Sequence, residues 1–134
     1  MTQASTLTSI YVIGLATRDN GFTLDEDFRS KSFTNGYMVA LNKNVETSIV
    51  EMNDVKKIAE MLTDLSSQVG GDVYIGGWVD EGKLCLELAQ FVRNREEAIR
   101  LGHEREQRAI YDILRDVDLY MKDHLPVLSV YDIL

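Results

Sequence analysis

Between residues 52 and 68 the apolar side chains fall at Met52, Val55, Ile58, Met61, Leu62 and Leu65, spaced by three and four, which predicts an amphipathic helix. Asn53 is placed to cap it by accepting a backbone N–H, Gly70 and Gly71 can end it at positive φ, and Lys56, Lys57, Glu60 and Asp64 form its water-facing side. Elsewhere the pattern favours sheet. Residues 6–16, rich in β-branched and aromatic side chains (Thr8, Ile10, Tyr11, Val12, Ile13), read as a strand followed by a turn at Asp19, Asn20 and Gly21. Residues 23–31 carry Asp25, Glu26 and Asp27 with little apolar pattern and read as a surface loop, with Asn35 and Gly36 as punctuation. Residues 37–41 and 46–50 predict two strands joined through Asn42, Lys43 and Asn44 as a hairpin. Residues 72–79 and 84–92 predict a second hairpin that turns at residues 80–83. Gly76 and Gly77 inside its first arm point to a bulge or to something that approaches the backbone closely.

Asn94 followed by Glu97 has the form of a capping box, with acidic side chains in the first turn where the helix dipole favours them, so a helix is expected from Arg95 to Gln107. Beyond it two readings compete. One is a strand at residues 109–113 followed by a short helix at 114–124 that packs Val117, Tyr120 and Met121; the other is one continuous helix. The β-preferring Ile110 and Tyr111 favour the break. Pro126 ends any preceding helix, and residues 127–133 can supply a last strand. The order gives an α+β fold: a mostly antiparallel sheet with two or three helices packed on one face. The tetrapeptide YDIL at 111–114 and again at 131–134 reads as coincidence rather than as a repeat.

The chain has 134 residues, 45% of them hydrophobic, and a single Pro, which fits one domain over residues 1–134. A net charge of −8 argues against general nucleic-acid binding and against docking on an anionic membrane. No run reaches the ~20 apolar residues of a membrane span, and the polar residues 1–8 lack the order of a secretory signal. The one cysteine, Cys85, suits a reducing cytoplasm and sits in an alternating pattern as a small buried hydrophobe.

Several chemistries lack their residues. The two histidines, His103 and His124, stand 21 positions apart with no C-x-x-C, so no metal site is expected. No nucleophile elbow, P-loop or dinucleotide fingerprint is present, so neither a catalytic residue nor a cofactor is expected. The carboxylates at 25–27, and Asp116 with Asp118, read as a solvated face.

One segment stands out against this background. Residues 93–108, RNREEAIRLGHEREQR, hold five of the eight arginines and carry a local charge of +1, while the rest of the chain carries −9. Arg100 and Arg108 have glutamates four residues before them and read as salt-bridged surface positions. Arg105 instead falls beside Leu101 and Gly102 on the thin apolar side of the helix, where a guanidinium must snorkel, pair with a buried carboxylate or meet a ligand. Arg93 and Arg95 flank the helix start, which itself attracts anions. With Trp78 and Phe91 they suggest a pocket in which an aromatic ring stacks a base and Arg93, Arg95 and Arg105 hold phosphate. Asn94 and Gln107 would read ribose or base edges. Trp78 also fits the core.

The pattern Gly76-Gly77-Trp78-x-Asp80, followed by Gln107-x-Ala109-Ile110-Tyr111-Asp112, resembles small proteins common in bacteriophage genomes. Gly21-Phe22-Thr23 and Gly36-Tyr37-x-Val39 extend the resemblance over residues 20–113. Among such proteins the chain is similar to the Thoeris anti-defence sponges. That resemblance implies a non-enzymatic homo-oligomer that sequesters a cyclic ADP-ribose signal in the cytoplasm of an infected host cell. The expected partner is thus an anionic nucleotide-derived small molecule. The rival expectation is an acidic protein that imitates nucleic acid and binds a basic host or defence protein through residues 25–27 and 112–123.

Overall fold

The computed structural model describes residues 2–42 and 48–126. Among these residues three helices and seven strands form an α+β fold in which the strands are antiparallel and the helices pack against the sheet. The chain divides into two compact units, residues 1–32 with 44–89, and residues 33–43 with 90–134.

The first unit holds α1 (Thr6–Asp19), β1 (Gly21–Leu24), β3 (Ile49–Glu51), α2 (Val55–Ser66), β4 (Val73–Asp80) and most of β5 (Lys83–Val92). The expected strand over 6–16 is a helix. Ser5 and Thr8 cap it reciprocally, each side chain accepting the other's backbone N–H at 3.2 Å, and Asn20 closes it at φ 63°. Ser9, Val12, Leu15 and Ala16 are buried at helical spacing, and this burial overrides the β preference of the individual residues. Ser9 Oγ donates to the Val55 carbonyl at 2.8 Å, while Thr63 Oγ1 accepts the Ala4 N–H at 2.9 Å, so polar side chains tie α1 and its approach to α2.

The helix at 52–68 is present as α2, but Asp54 rather than Asn53 caps it, accepting the Lys57 N–H. Part of the expected surface loop at 23–31 belongs to β1, which pairs with β4. Asp25, expected in water, is buried: its carboxylate accepts the backbone N–H groups of Asp27 and Arg29, both at 2.9 Å, and so organises a tight turn. The β4–β5 hairpin forms as expected, with Glu81 and Gly82 both at positive φ as a two-residue turn requires. Register runs unbroken from Gly21 opposite Trp78 to Leu24 opposite Ile75, so Gly77 is a site of close approach and not a bulge. A Cβ there would overlap the Phe22 ring. Leu24, Ile58, Leu62, Ile75, Leu84, Leu86 and Leu88 fill the core, each contributing about 1.5–3 kcal/mol on burial.

The second unit holds β2 (Tyr37–Ala40), the end of β5, α3 (Arg95–Glu104), β6 (Ala109–Asp112), β7 (Val117–Tyr120) and a 3₁₀ turn, Met121–Asp123. The expected hairpin of 37–41 with 46–50 does not form, because β3 pairs with β5 while β2 pairs with β6. Residues 43–47, which include Lys43 and Asn44 of its connector and the start of its second strand, and the expected last strand at 127–133 lie outside the described residues. Asn94 caps α3 as expected, its Oδ1 accepting the Glu97 N–H at 2.9 Å. The helix stops at Glu104, short of Gln107. Glu106 takes φ 52° while Gln107 N–H donates to the Gly102 carbonyl and Glu106 N–H to that of His103, which is a Schellman closure with a glutamate where glycine is usual.

The break before Ile110 is real, but the helix expected at 114–124 is replaced by a second hairpin. Asp112 accepts the Arg115 N–H, Asp116 turns at φ 53°, and β7 runs back along β6 from Val117 opposite Asp112 to Tyr120 opposite Ala109. Leu119 and Met121 point in while Asp118 and Tyr120 point out, a period of two that the apolar spacing alone had concealed.

Candidate functional site

Of the seven residues singled out in the sequence, Trp78 lies in the first unit and the other six in the second. Trp78 is half-buried on β4 opposite Gly21.

In the second unit, alternation along the end of β5 sends Gln90 and Val92 to one face and Phe91 to the other. Val92 packs in the core with Ala98, Ile99 and Leu101 of α3, so the Gln90 face is the helix side. On the opposite face Phe91 is 9% exposed and stacks on Phe33, with ring centroids 4.3 Å apart and planes at 14°. The Arg93 guanidinium lies 5.4 Å from the Phe91 centroid, close enough for a cation–π contact. Gly36, at φ 96°, lets this stack form, since a Cβ there would overlap the Phe91 ring. Phe91 is thus engaged by Phe33, a loop residue that gave no periodic signal in the sequence.

Arg105 occupies the helix side. It is the C-cap of α3, and its Nη2 donates to Gln90 Oε1 at 2.6 Å. Its Nη1 nitrogen is buried with no acceptor among the described residues. Gln107 lies two residues on, its Nε2 donating to the Asn42 carbonyl at 3.1 Å. The structure therefore brings Phe91 to Arg93, and Arg105 toward Gln107, as two groupings on opposite faces of the β5 end. Asn94 is committed by its oxygen to the cap, and Arg95 sits half-buried at the first helical position. Arg100 bridges to Glu97 and Glu104 rather than to Glu96, and Arg108 lies over the Tyr120 ring rather than against Glu104. Gln90 and Asn42 were missed because a neutral amide and a backbone carbonyl carry no chemical signature in a sequence.

Two further groups bear on chemistry. In the first unit burial raises the Glu87 carboxyl to about 7. The Glu87 backbone lies beside Gly76, where a Cβ would be 3.8 Å from the Glu87 carbonyl oxygen and 3.6 Å from the Ala89 Cβ. Burial also pushes the Cys85 thiol up, helped by Asp80 and Glu87, which is the opposite of what a thiolate nucleophile needs. A shallow groove between residues 3–6 and α2, lined by Lys56, Glu60, Thr63 and Asp64 among others, includes none of the seven residues. Among the described residues no group of three His, Cys, Asp or Glu side chains is placed to hold a metal, and no helix is long and apolar enough to cross a membrane.

No known protein family, curated protein or solved structure matches the chain.

Proposed function

We propose that the chain is a non-catalytic binding protein whose second unit captures a small nucleotide-derived anion and holds it without cleaving it. The observation that carries this reading is the state of Arg105. Among the described residues the half-buried Arg105 guanidinium is paired only with a neutral amide and has one buried nitrogen without an acceptor, so no carboxylate there balances its charge. An incoming phosphate would supply the missing acceptor in a bidentate geometry that suits the guanidinium fork. Capture requires Arg105 to rotate on its flexible stem toward the ligand, and relief of the unpaired N–H favours that movement. Arg95 at the helix start is a second cation of the same unit.

Extending the motif resemblance to Thoeris anti-defence sponges, we propose cyclic ADP-ribose and its relatives as the ligand class and the cytoplasm of an infected cell as the place of action. The rival reading, an acidic imitator of nucleic acid, loses two of its charges, because Asp25 and Asp112 are buried and bonded within the protein.

A thermal-shift screen against cyclic and linear ADP-ribose and cyclic di- and trinucleotides tests the proposal. A saturable rise in Tm with one ligand, lost in a folded Arg105→Ala protein, is the expected result, since only native-state binding stabilises by mass action. No shift with any nucleotide would overturn it.

A further inference from the structure

The outer side of α1 carries Leu7, Ile10 and Tyr11, which are 77%, 54% and 47% exposed, followed on the same stripe by Gly14. A helix apolar on both sides normally has both covered, yet among the described residues only the side bearing Val12, Leu15 and Ala16 is packed. Charge singles out this stripe as well. All 14 lysines and arginines and all 22 acidic residues lie from Arg18 onward, so α1 is charge-free until its last turn.

We infer that α1 is the two-fold interface of a homodimer, packed antiparallel against α1 of a second copy. Two observations select a second copy as the occupant. The first is electrostatic: copies with a net charge of −8 repel over most of their surface, and a charge-free stripe lets them meet with least cost, whereas a basic or acidic partner would find no complement there. The second is shape. In an antiparallel pair centred between Ile10 and Tyr11, Leu7 of one copy falls opposite Gly14 of the other, and Ile10 opposite Tyr11. Gly14 has nothing within 4 Å of the position its Cβ would take, so the most exposed side chain of the stripe, Leu7, meets the position that carries no side chain. The stripe is complementary to itself, which is what an isologous interface requires. The exposed Arg18–Asp19 pair stays beyond the seam at each end. One helix face covers less than the roughly 800 Å² per partner of a tight complex, so a dimer that dissociates on dilution into the micromolar range is expected. The inference is independent of the anion site in the second unit.

Sedimentation velocity over a concentration series, at low and high salt, tests the interface. A dimer that strengthens with salt, as screening removes the repulsion, and becomes monomeric in Leu7→Glu is expected. Leu7 is exposed, so that variant should melt as the unmodified protein does at dilutions where both are monomeric. Register is tested by a Leu7→Cys, Gly14→Cys protein under mild oxidation. Positions seven apart on one helix lie about 10.5 Å apart, beyond the ~7 Å limit for a disulfide, so any bridge between them must join two copies. The double variant is expected to form covalent dimers, and each single variant and the unmodified chain with its buried Cys85 to remain uncross-linked. A monomer at every concentration, a dimer untouched by Leu7→Glu, cross-linking through Leu7→Cys alone, or flotation of the protein with neutral phosphatidylcholine vesicles would each overturn the inference.

Discussion

Arg105 Nη2 donates to Gln90 Oε1 at 2.6 Å, joining the end of α3 to the end of β5, and this bond leaves the arginine's charge opposite a neutral amide. The proposed capture of an anion follows from that mismatch, because a carboxylate in place of Gln90 would satisfy the guanidinium from within. Gln90→Glu is therefore expected to raise Tm and to weaken any nucleotide-induced shift. Gln90→Ala removes the one side-chain acceptor that Arg105 has among the described residues and is expected to cost about 1–3 kcal/mol in chemical denaturation. A Gln90→Glu protein that binds the ligand as well as the unmodified chain would show that Arg105 is not the anion's partner.

Glu87 gives the fold a pH dependence of defined sign. Its carboxyl sits at about 7 against an ordinary value of 4.5, so the folded state favours the protonated form. The resulting contribution is complete below pH 4.5, declines as pH rises toward 7, and is gone above it. Glu87→Gln is expected to remain level across that window and to exceed the unmodified protein by on the order of 2 kcal/mol at pH 8. Urea unfolding of both proteins between pH 4.5 and 8 measures the difference, and parallel curves would contradict the assignment.

Gly77 faces the Phe22 ring across β1, where a side chain has no room. Gly77→Ala is expected to destabilise by about 1–3 kcal/mol through overpacking. Adding Phe22→Leu should recover part of the loss, a coupling that a double-mutant cycle reads directly.

The N-terminal cap is testable in the same way. Ser5→Ala removes the acceptor for the Thr8 N–H and is expected to cost about 1 kcal/mol, with the loss visible as earlier exchange of the first-turn amides of α1.

Much of this architecture was legible in the sequence where periodicity and a familiar turn signal agreed. The helix α2, the β4–β5 hairpin and the Asn94 cap are of that kind. Legibility failed where tertiary contacts chose between two workable local states. The β-branched run at 8–13 forms a helix because Ser9, Val12, Leu15 and Ala16 are buried together, and its cap uses a threonine where a glutamate is the usual signal. Residues 117–121 suit a helix by spacing and a strand by alternation, and Asp112 with Asp116 settles the matter by building the turn before them. At the candidate site, five arginines in sixteen residues drew attention to α3 and the residues flanking it. Sequence spacing could not reveal that Phe91 and Arg105 project to opposite faces, because that depends on strand alternation meeting a helix end. Nor could it reveal Gln90, the residue that leaves Arg105 unbalanced.

The most direct test of the central claim is equilibrium dialysis of the purified protein against cyclic ADP-ribose, with mass spectrometry of the ligand released on denaturation, run beside Arg105→Ala. Saturable retention of chemically intact ligand, lost in the variant, is the expected result. No retention, or release of a hydrolysed product, would contradict the claim that this chain binds such an anion without cleaving it.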